Sequence, residues 1–435
     1  MHIHFNKKIK RMEKKYIQKG TQINLRQQIS KQLIVLIRKL QGFTRQQVQM
    51  KYDLGVWQEK WAQGVVILYT NNNQDEARIL QEALYVCGVD NIELVQGSQK
   101  QYSTSIYFVL CPQYFECLPE IFVAVQTESY DKQTWFNREF LDKLHKAVAV
   151  MEVLADNIKI LLAQHFAYEE LFLFSLDCGQ SKYYLARILL AFELINTDKA
   201  FEILKAYERI KTIDRSLLAL GLPETVARRD AFVNRYLTVP IFDGLRHIRP
   251  WIGCALSYKY LAYLALEHNI ANLVVCEDDV VLDERFAGKY KLLQEFLYER
   301  ISEYQWDMFV GLLAEMPNNM KVLDVVEFQG VKFVTIDKMV STVFNIYGQA
   351  AIRRLATWDM SDKNMEKNTI DRYLGESNTQ LRIVTTLPFL VRHDGESTLW
   401  GTGSNECYQI RINNAQEQLA AKVREFEKQL EMEME

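Results

Sequence analysis

Three consecutive acidic residues, Glu277, Asp278 and Asp279, lie between two short apolar segments in the sequence NLVVCEDDVVLDE. Apolar runs bounded by polar residues are typical of buried β-strands. Adjacent carboxylates repel one another and are costly to remove from water, so a strand that ends in three of them needs a compensating positive charge. Mg²⁺ and Mn²⁺ supply it well, since they prefer oxygen ligands. The sequence therefore predicts either a metal site at a strand end or a surface turn whose acids face water.

A metal at this position would suit a substrate that carries a diphosphate. In an α/β sheet, ligand crevices open at the carboxyl ends of the strands, and a divalent ion there can bridge two phosphate groups. A phosphoryl-transfer enzyme could use the same acids, but it would also need a lysine or a glycine-rich loop that cradles the phosphates. The sequence contains no such motif, which argues against phosphoryl transfer.

The overall composition excludes several other classes of protein. The 435 residues, of which 49% are hydrophobic and 12% aromatic, are typical of a globular protein with more than one domain. The formal net charge of −3 gives no basic field for binding nucleic acid. Seven cysteines without C-x-x-C spacing predict reduced thiols. The basic N-terminus is followed by no apolar signal segment and no membrane-spanning run, so we expect a cytoplasmic protein.

Changes in composition and hydrophobic pattern predict five segments, at residues 1–60, 61–165, 166–209, 210–412 and 413–435. The first is basic and contains an amphipathic helix, Asn24–Phe43, that suits either an anionic membrane surface or packing on the next domain. The second shows the strand–helix alternation of a small α/β domain of unknown role. The third is a helical linker, and the fourth is a second α/β domain.

Two helices are predicted near the boundaries of these segments. Residues 135–164 have the pattern of a helix with one break near Asp156. The last segment is a charged helix whose apolar residues recur at intervals of four, three and four; they are Leu419, Val423, Phe426 and Leu430. This spacing suits either a helix docked on its own domain or a coiled coil that would form a homodimer.

The fourth segment carries several short motifs in a fixed order. LLALGLPETVARRDAF, YLTVPIFDGLR and GCALSYKY precede the acid cluster, and NTIDRYL and LRIVTTLPFLVRHDGEST follow it. Over roughly residues 210–400 this order resembles glycosyltransferase family 25, the lipooligosaccharide and collagen galactosyltransferase group. The resemblance implies an A-type nucleotide-sugar transferase domain with a Rossmann-like mixed sheet, in which Leu273–Cys276 is a central strand. One residue departs from the family pattern, because Tyr258 stands where a histidine usually follows the serine of G-C-x-x-S.

The resemblance also implies roles for individual residues. The residues expected to contact the nucleotide-sugar donor are Arg228, Arg229, Asp243, Gly244, Ser257 and Asp278. Those expected to hold Mn²⁺ or Mg²⁺ are Asp279, Glu277 and His393. If the reaction inverts the sugar carbon, a carboxylate must take the proton of the attacking hydroxyl, and the candidates for this base are, in order, Asp371, Glu315 and Asp394.

The predicted function is transfer of galactose or another hexose from a UDP-sugar to a saccharide, in free or lipid-linked form, during lipooligosaccharide or surface polysaccharide synthesis. A metal-assisted, inverting reaction is implied by the family. The amphipathic N-terminal helix adds an expected peripheral contact with the inner face of the membrane. The alternative is a transferase-like protein without activity that serves as an assembly or binding component of a surface-polysaccharide complex.

Overall fold

The computed structural model describes residues 54–99, 101–131, 133–164, 166, 170–207, 213–299, 305–317, 319–375, 381–394 and 405–434. The predicted helix Asn24–Phe43 lies outside these residues. The chain divides into two compact units, one of residues 1–81 and 89–153 and one of residues 82–88 and 154–435. No helix in the described residues is both long and apolar enough to cross a membrane.

The elements up to residue 153 are α1 (Leu54–Ala62), β1 (Val65–Tyr69), α2 (Gln74–Val86), β2 (Ile92–Gln96), β3 (Ile106–Leu110), β4 (Phe122–Gln126), α3 (Arg138–Lys146) and β5 (Ala149–Glu152). The five strands are all parallel and lie in the order β2-β1-β3-β4-β5. Every residue of β3, β4 and β5 is buried, as expected for parallel strands covered on both faces. The first unit therefore has an α/β fold.

One prediction in this region is wrong. Residues 135–164, predicted as a helix with one break near Asp156, contain the strand β5 between α3 and the helix Ala155–Ala163. The apolar residues around Val150 fit a helical stripe as well as a buried strand, because periodicity cannot separate the two in a short run. These residues form a strand in the structure because they pair with β4, where Ala124 lies opposite Val150.

The elements from residue 154 onward are α4 (Ala155–Ala163), β6 (Leu171–Leu173), α5 (Ser181–Ala191), α6 (Thr197–Leu204), β7 (Leu217–Gly221), α7 (Val226–Arg235), β8 (Ile241–Asp243), α8 (Pro250–Glu267), β9 (Leu273–Glu277), β10 (Val280–Val281), α9 (Phe286–Gln294), β11 (Met308–Val310), β12 (Val322–Phe328), β13 (Val331–Ile336), β14 (Phe344–Tyr347), α10 (Gln349–Ala356), α11 (Met365–Asn368), α12 (Ile370–Gly375), β15 (Ile383–Leu387), β16 (Arg392–His393) and α13 (Asn405–Met434). A π-helical turn, Glu295–Glu299, follows α9.

The second unit is built on a mixed sheet of eight strands in the order β12-β13-β15-β11-β14-β9-β7-β8. β7 is parallel to both β8 and β9, whereas β14 is antiparallel to both β9 and β11. Leu273, Val274, Val275 and Cys276 of β9 are completely buried, which agrees with the predicted central strand. Both units are therefore α/β, the first with a parallel sheet and the second with a mixed sheet.

The C-terminal helix α13 is docked on its own unit. It begins at Asn405, earlier than the predicted start at residue 413, and contacts β12 and β15. Its buried face consists of Ile412, Ala415, Leu419 and Val423. Of the two alternatives for this helix, the structure therefore supports docking through Leu419 and Val423, while Leu430 is 43% exposed.

Candidate active site

A cavity of about 150 Å³ opens in the second unit at the carboxyl ends of β7 and β9. The predicted site residues that line it are Arg228, Gly244, Ser257, Glu277, Asp278, Asp279, Asp371 and His393. This is the position at which α/β sheets bind ligands, because the loops that leave adjacent parallel strands diverge there. The structure thus brings together residues that are separated by up to 165 positions in the chain (393 − 228 = 165).

The acid cluster forms the turn between β9 and β10. Glu277 is the last residue of β9, and Asp278 and Asp279 make the turn itself. The side chains of Asp278 and Asp279 are each only 12% exposed. The alternative of a surface turn whose acids face water is therefore wrong for these two residues.

A short strand pair explains how a histidine far along the chain reaches the acid cluster. β10 pairs with β16 so that His393 lies opposite Val280, the residue next to Asp279. The backbone N–H of Asp394 also donates to the carbonyl oxygen of Asp279 at 3.0 Å. His393 Nε2 consequently lies 3.3 Å from Asp279 Oδ2.

Cations of the chain itself lie among these acids. Arg228 Nη1 is 3.6 Å from Asp278 Oδ1 and 3.7 Å from Asp279 Oδ2. The other terminal nitrogen of Arg228 is 3.7 Å from Asp394 Oδ2. At these distances the guanidinium offsets part of the negative charge of Asp278, Asp279 and Asp394.

Two of the acids, Glu277 and Asp278, nevertheless have raised pKa values. Burial, with a further contribution from the charge of Asp279, raises the pKa of Glu277 to about 8. Burial and Asp279 also raise the pKa of Asp278, to about 7, although Arg228 opposes the rise. For His393, burial lowers the pKa, but the hydrogen bond and charge of Asp279 outweigh burial, so the net pKa lies above the usual value. For Glu277 and Asp278, burial and the charge of Asp279 therefore outweigh the opposing effects of His393 and Arg228 on the pKa.

The cluster fits a divalent ion that arrives with phosphate ligands better than one held by protein alone. Asp279 Oδ1 is buried and has no hydrogen-bond partner, so one lone-pair-bearing oxygen is left for a cation. Within the described residues, no group of three or more His, Cys, Asp or Glu side chains is arranged to hold a metal. Mg²⁺ in nucleotide sites commonly uses only one or two carboxylates, with phosphates and waters as its other ligands. His393 would have to lose its proton before it could serve as a ligand.

The three candidate bases occupy different surroundings. Asp371, in the first turn of α12, lines the cavity, and its Oδ1 accepts from the backbone N–H of Arg372 at 2.8 Å. Glu315 is not among the lining residues and forms an ion pair with Arg372 at 2.9 Å. Asp394 lies beside Arg228 and His393 in the acid cluster. Of the three, Asp371 is therefore the residue whose carboxylate can meet a ligand in the cavity.

Two predicted donor-binding residues pair with each other outside the cavity. Arg229 Nη1 donates to Asp243 Oδ1 at 2.6 Å and to the carbonyl oxygen of Gly221 at 3.2 Å. Neither side chain is among the residues that line the cavity. Asp243 instead lies on a second cavity of about 370 Å³, with Tyr183 and Tyr184 among its walls. The Arg229–Asp243 pair thus braces the ends of β7 and β8.

The G-C-x-x-S motif holds the segment that follows β8. Ser257 Oγ accepts from the backbone N–H of Leu245 at 2.7 Å and donates to the carbonyl oxygen of Gly253 at 2.8 Å. A Cβ at Gly253 would lie 2.9 Å from the backbone nitrogen of His247, so only glycine allows this approach. Ser257 lines the cavity, but its hydroxyl is engaged in positioning the loop from Leu245 to His247.

Tyr258, the departure from the family pattern, lies beneath the site. It is completely buried, and its hydroxyl donates to the carbonyl oxygen of Thr342 at 2.9 Å. The same hydroxyl is 3.5 Å from Glu277 Oε1. Tyr258 therefore supports the strand end from below and has no surface with which to contact an acceptor.

Several lining residues were not predicted from the sequence. They are chiefly Thr225, Trp251, Thr342, Thr369 and Tyr408. Thr225 and Thr369 each directly precede a helix, and they lie three residues before Arg228 and two residues before Asp371. This closeness to predicted residues could have indicated them. Tyr408 lies on α13, and its ring stacks on His393 with centroids 5.0 Å apart and planes 26° apart. Nothing in the sequence around Tyr408 indicates this contact, because it depends on how α13 docks.

Comparison with known protein families indicates the same family as the motifs. Residues 249–386 match the family model described as "Glycosyltransferase family 25 (LPS biosynthesis protein)". The predicted resemblance is confirmed over this segment. No curated protein matches the chain.

The family 25 match covers part of the site only. It includes the acid cluster and Asp371, whereas Arg228 precedes it and His393 and Tyr408 follow it. The resemblance predicted from the motifs was longer, at roughly residues 210–400. A match to family 25 implies a glycosyltransferase, one acting with a sugar donor and a saccharide acceptor.

Proposed function

We propose that this protein is an A-type nucleotide-sugar transferase that moves a hexose from a UDP-sugar to a saccharide acceptor during lipooligosaccharide or surface polysaccharide synthesis. One observation carries the proposal. The family 25 segment contributes a central strand that ends in three acids, and these acids line a cavity together with Arg228 and Asp371. Such a cavity holds groups for both halves of a transfer from a diphosphate to a hydroxyl.

The donor diphosphate is proposed to lie at the acid turn. Arg228 and Asp278 would contact the nucleotide-sugar, and Asp279, Glu277 and His393 would hold Mn²⁺ or Mg²⁺. Such an ion would offset the negative charge that develops on the leaving diphosphate. Arg228 contributes positive charge at the same place, and its planar group can exchange its present carboxylate partners for phosphate oxygens.

The acceptor is proposed to enter on the side of Asp371. As the acceptor oxygen bonds to the sugar carbon, the bond from that carbon to the diphosphate oxygen breaks, and the hydroxyl proton passes to the Asp371 carboxylate. Attack from the face opposite the leaving group inverts the anomeric centre. Glu315 is less suited to this role because its charge is committed to Arg372.

A UDP-release assay with Mn²⁺ and a panel of UDP-hexoses tests the proposed activity. Asp279→Asn keeps the volume of the side chain and removes its charge, so we expect it to lose both metal-dependent stabilisation by UDP and turnover. Asp371→Asn should lose turnover, by about 100-fold or more, yet keep the stabilisation by Mn²⁺ and UDP. Wild-type turnover by Asp279→Asn would overturn the metal site.

The same assay on the wild-type protein separates the enzyme from its alternative. A wild-type protein that binds UDP and Mn²⁺ but releases no UDP from any donor would instead be an inactive assembly component.

We further propose that the enzyme acts in the cytoplasm against a lipid-linked acceptor at the inner face of the membrane. A homodimer is proposed only through the exposed end of α13, where Leu430 and Met432 are 43% and 77% exposed.

A further inference from the structure

The aromatic ring of Tyr408 is part of the cavity although it comes from outside the family 25 match. It lines the same cavity as the acid cluster and stacks on His393, with a centroid separation of 5.0 Å. His393 in turn is 3.3 Å from Asp279 Oδ2. A continuous contact thus runs from the C-terminal helix to the acid turn.

The position of Tyr408 is fixed by the docking of α13. Ile412 and Ala415, one and two turns further along the helix, are 5% and 1% exposed and face the core. The backbone N–H of Phe389 donates to Gln416 Oε1 at 2.9 Å, which ties the helix to the segment before His393. The ring is therefore held in place by packing on two sides, and it is available to a ligand without rearrangement.

The surroundings of the ring indicate which part of a ligand it meets. A tyrosine hydroxyl is protonated at neutral pH, so the phenol of Tyr408 can donate a hydrogen bond to a ligand in the cavity. A flat apolar face beside carboxylates that accept from hydroxyls suits a neutral, polyhydroxylated ring.

We propose that Tyr408 is a sugar-binding residue whose ring packs against a pyranose in the cavity and whose hydroxyl donates to that sugar. The inference rests on the proposed transferase function and adds a subsite to it. The pyranose is that of the donor hexose or that of the acceptor, and both have the same chemistry. The C-terminal helix thereby becomes part of the substrate site.

Calorimetric titration of the full chain tests the inference, with Mn²⁺ and three probes: UDP, UDP-galactose and UDP-glucose. Tyr408→Leu removes the ring but keeps apolar volume, and Tyr408→Phe removes the hydroxyl alone. Ile410→Ala, on the same helix and 57% exposed, is the matched control. Lactose added to the UDP complex probes the acceptor side.

We expect Tyr408→Leu to lower the affinity for a sugar-bearing ligand about tenfold, the size of an aromatic contact, and to leave the affinity for UDP unchanged. A lower affinity for UDP-hexose assigns Tyr408 to the donor sugar, and a lower affinity for lactose assigns it to the acceptor. Tyr408→Phe should recover most of the affinity, because it keeps the ring.

Two results would overturn the inference while leaving the transferase intact. One is a wild-type protein that binds UDP and UDP-hexose and a Tyr408→Leu variant that binds all probes equally well. The other is an equal loss for UDP and UDP-hexose, which would place Tyr408 at the nucleotide. A wild-type protein that binds none of the probes would overturn the proposed function itself.

Discussion

At the scale of residues, the acid turn is a cluster whose charge is only partly offset. Arg228 and His393 approach Asp278 and Asp279 at 3.3–3.7 Å, yet burial still raises the pKa values of Glu277 and Asp278. A folded state that holds these carboxyl groups out of water loses stability whenever they ionise. The cost is recovered when a cation or a cationic complex binds.

The first prediction concerns pH. The pKa of Glu277 is about 8 in the folded state against 4.5 for the ordinary group, so the folded state binds a proton more tightly than the unfolded state. The contribution of Glu277 to stability is therefore greatest below pH 4.5 and falls as pH rises towards 8. Glu277→Gln has no proton to lose. Its free energy of unfolding, relative to that of wild type, should therefore increase as pH rises from 5 to 8.

Urea unfolding at several pH values, without added metal, measures this difference. Glu425→Gln, an exposed substitution on α13, serves as the control and should show a constant difference from wild type. A Glu277→Gln difference that is independent of pH would mean that Glu277 is already ionised in the folded protein.

The sequence predicted which residues meet at the acid turn better than it predicted how each side chain is used. Arg228, Asp371 and His393 line the cavity, as their motifs predicted. The motifs could indicate them because each of these residues lies near the beginning or end of an element. Arg229 and Asp243 lie in successive motifs but pair with each other, and this pairing depends on the spacing of β7 and β8. Tyr408 could not be found, because helix docking is set by tertiary packing alone.

At the scale of elements, the acid turn depends on elements that lie far apart in the chain. β9 carries the acids, and β16 returns His393 to them through two residue pairs. The long helix α13 then covers β12 and β15. The apolar spacing of α13 predicted its buried face but could not tell an intramolecular partner from a second chain, since both bury the same stripe.

The second prediction concerns this helix. Leu419 is fully buried, so Leu419→Ala should lower the free energy of unfolding by about 2–4 kcal/mol. Leu430→Ala, at a residue that is 43% exposed, should change it by less than about 0.5 kcal/mol. Urea denaturation of both variants measures the contrast. Equal effects would show that the outer end of α13 is covered, as a homodimer through Leu430 requires.

At the scale of the whole molecule, the described residues hold two α/β units with different sheets. The first unit has only parallel strands, and the second carries the mixed sheet and the cavity. Segment 24–43 lies outside the described residues, and its sequence has four basic residues, Arg26, Lys31, Arg38 and Lys39. If the acceptor is lipid-linked, these residues are placed to bring the protein to the surface that carries it.

The third prediction concerns this segment. The full chain should sediment with anionic phosphatidylserine vesicles, and replacement of the four basic residues by glutamine should weaken binding, by about 1 kcal/mol for each residue that reaches the surface. Neutral phosphatidylcholine vesicles provide the control, and binding should fall as salt increases. Equal sedimentation of the two proteins with anionic vesicles would remove the membrane contact from the proposal.

The place of β14 in the sheet has a consequence for biosynthesis. β14 lies between β9 and β11 but follows both in the chain, so a growing polypeptide exposes the edge of β9 until β14 has been made. An unpaired edge of a strand that is apolar in four of its five residues is a template for pairing with other chains. We therefore expect nascent or truncated chains that end between β11 and β14 to require chaperones or to aggregate, and translation through this interval to be the vulnerable step in producing the protein.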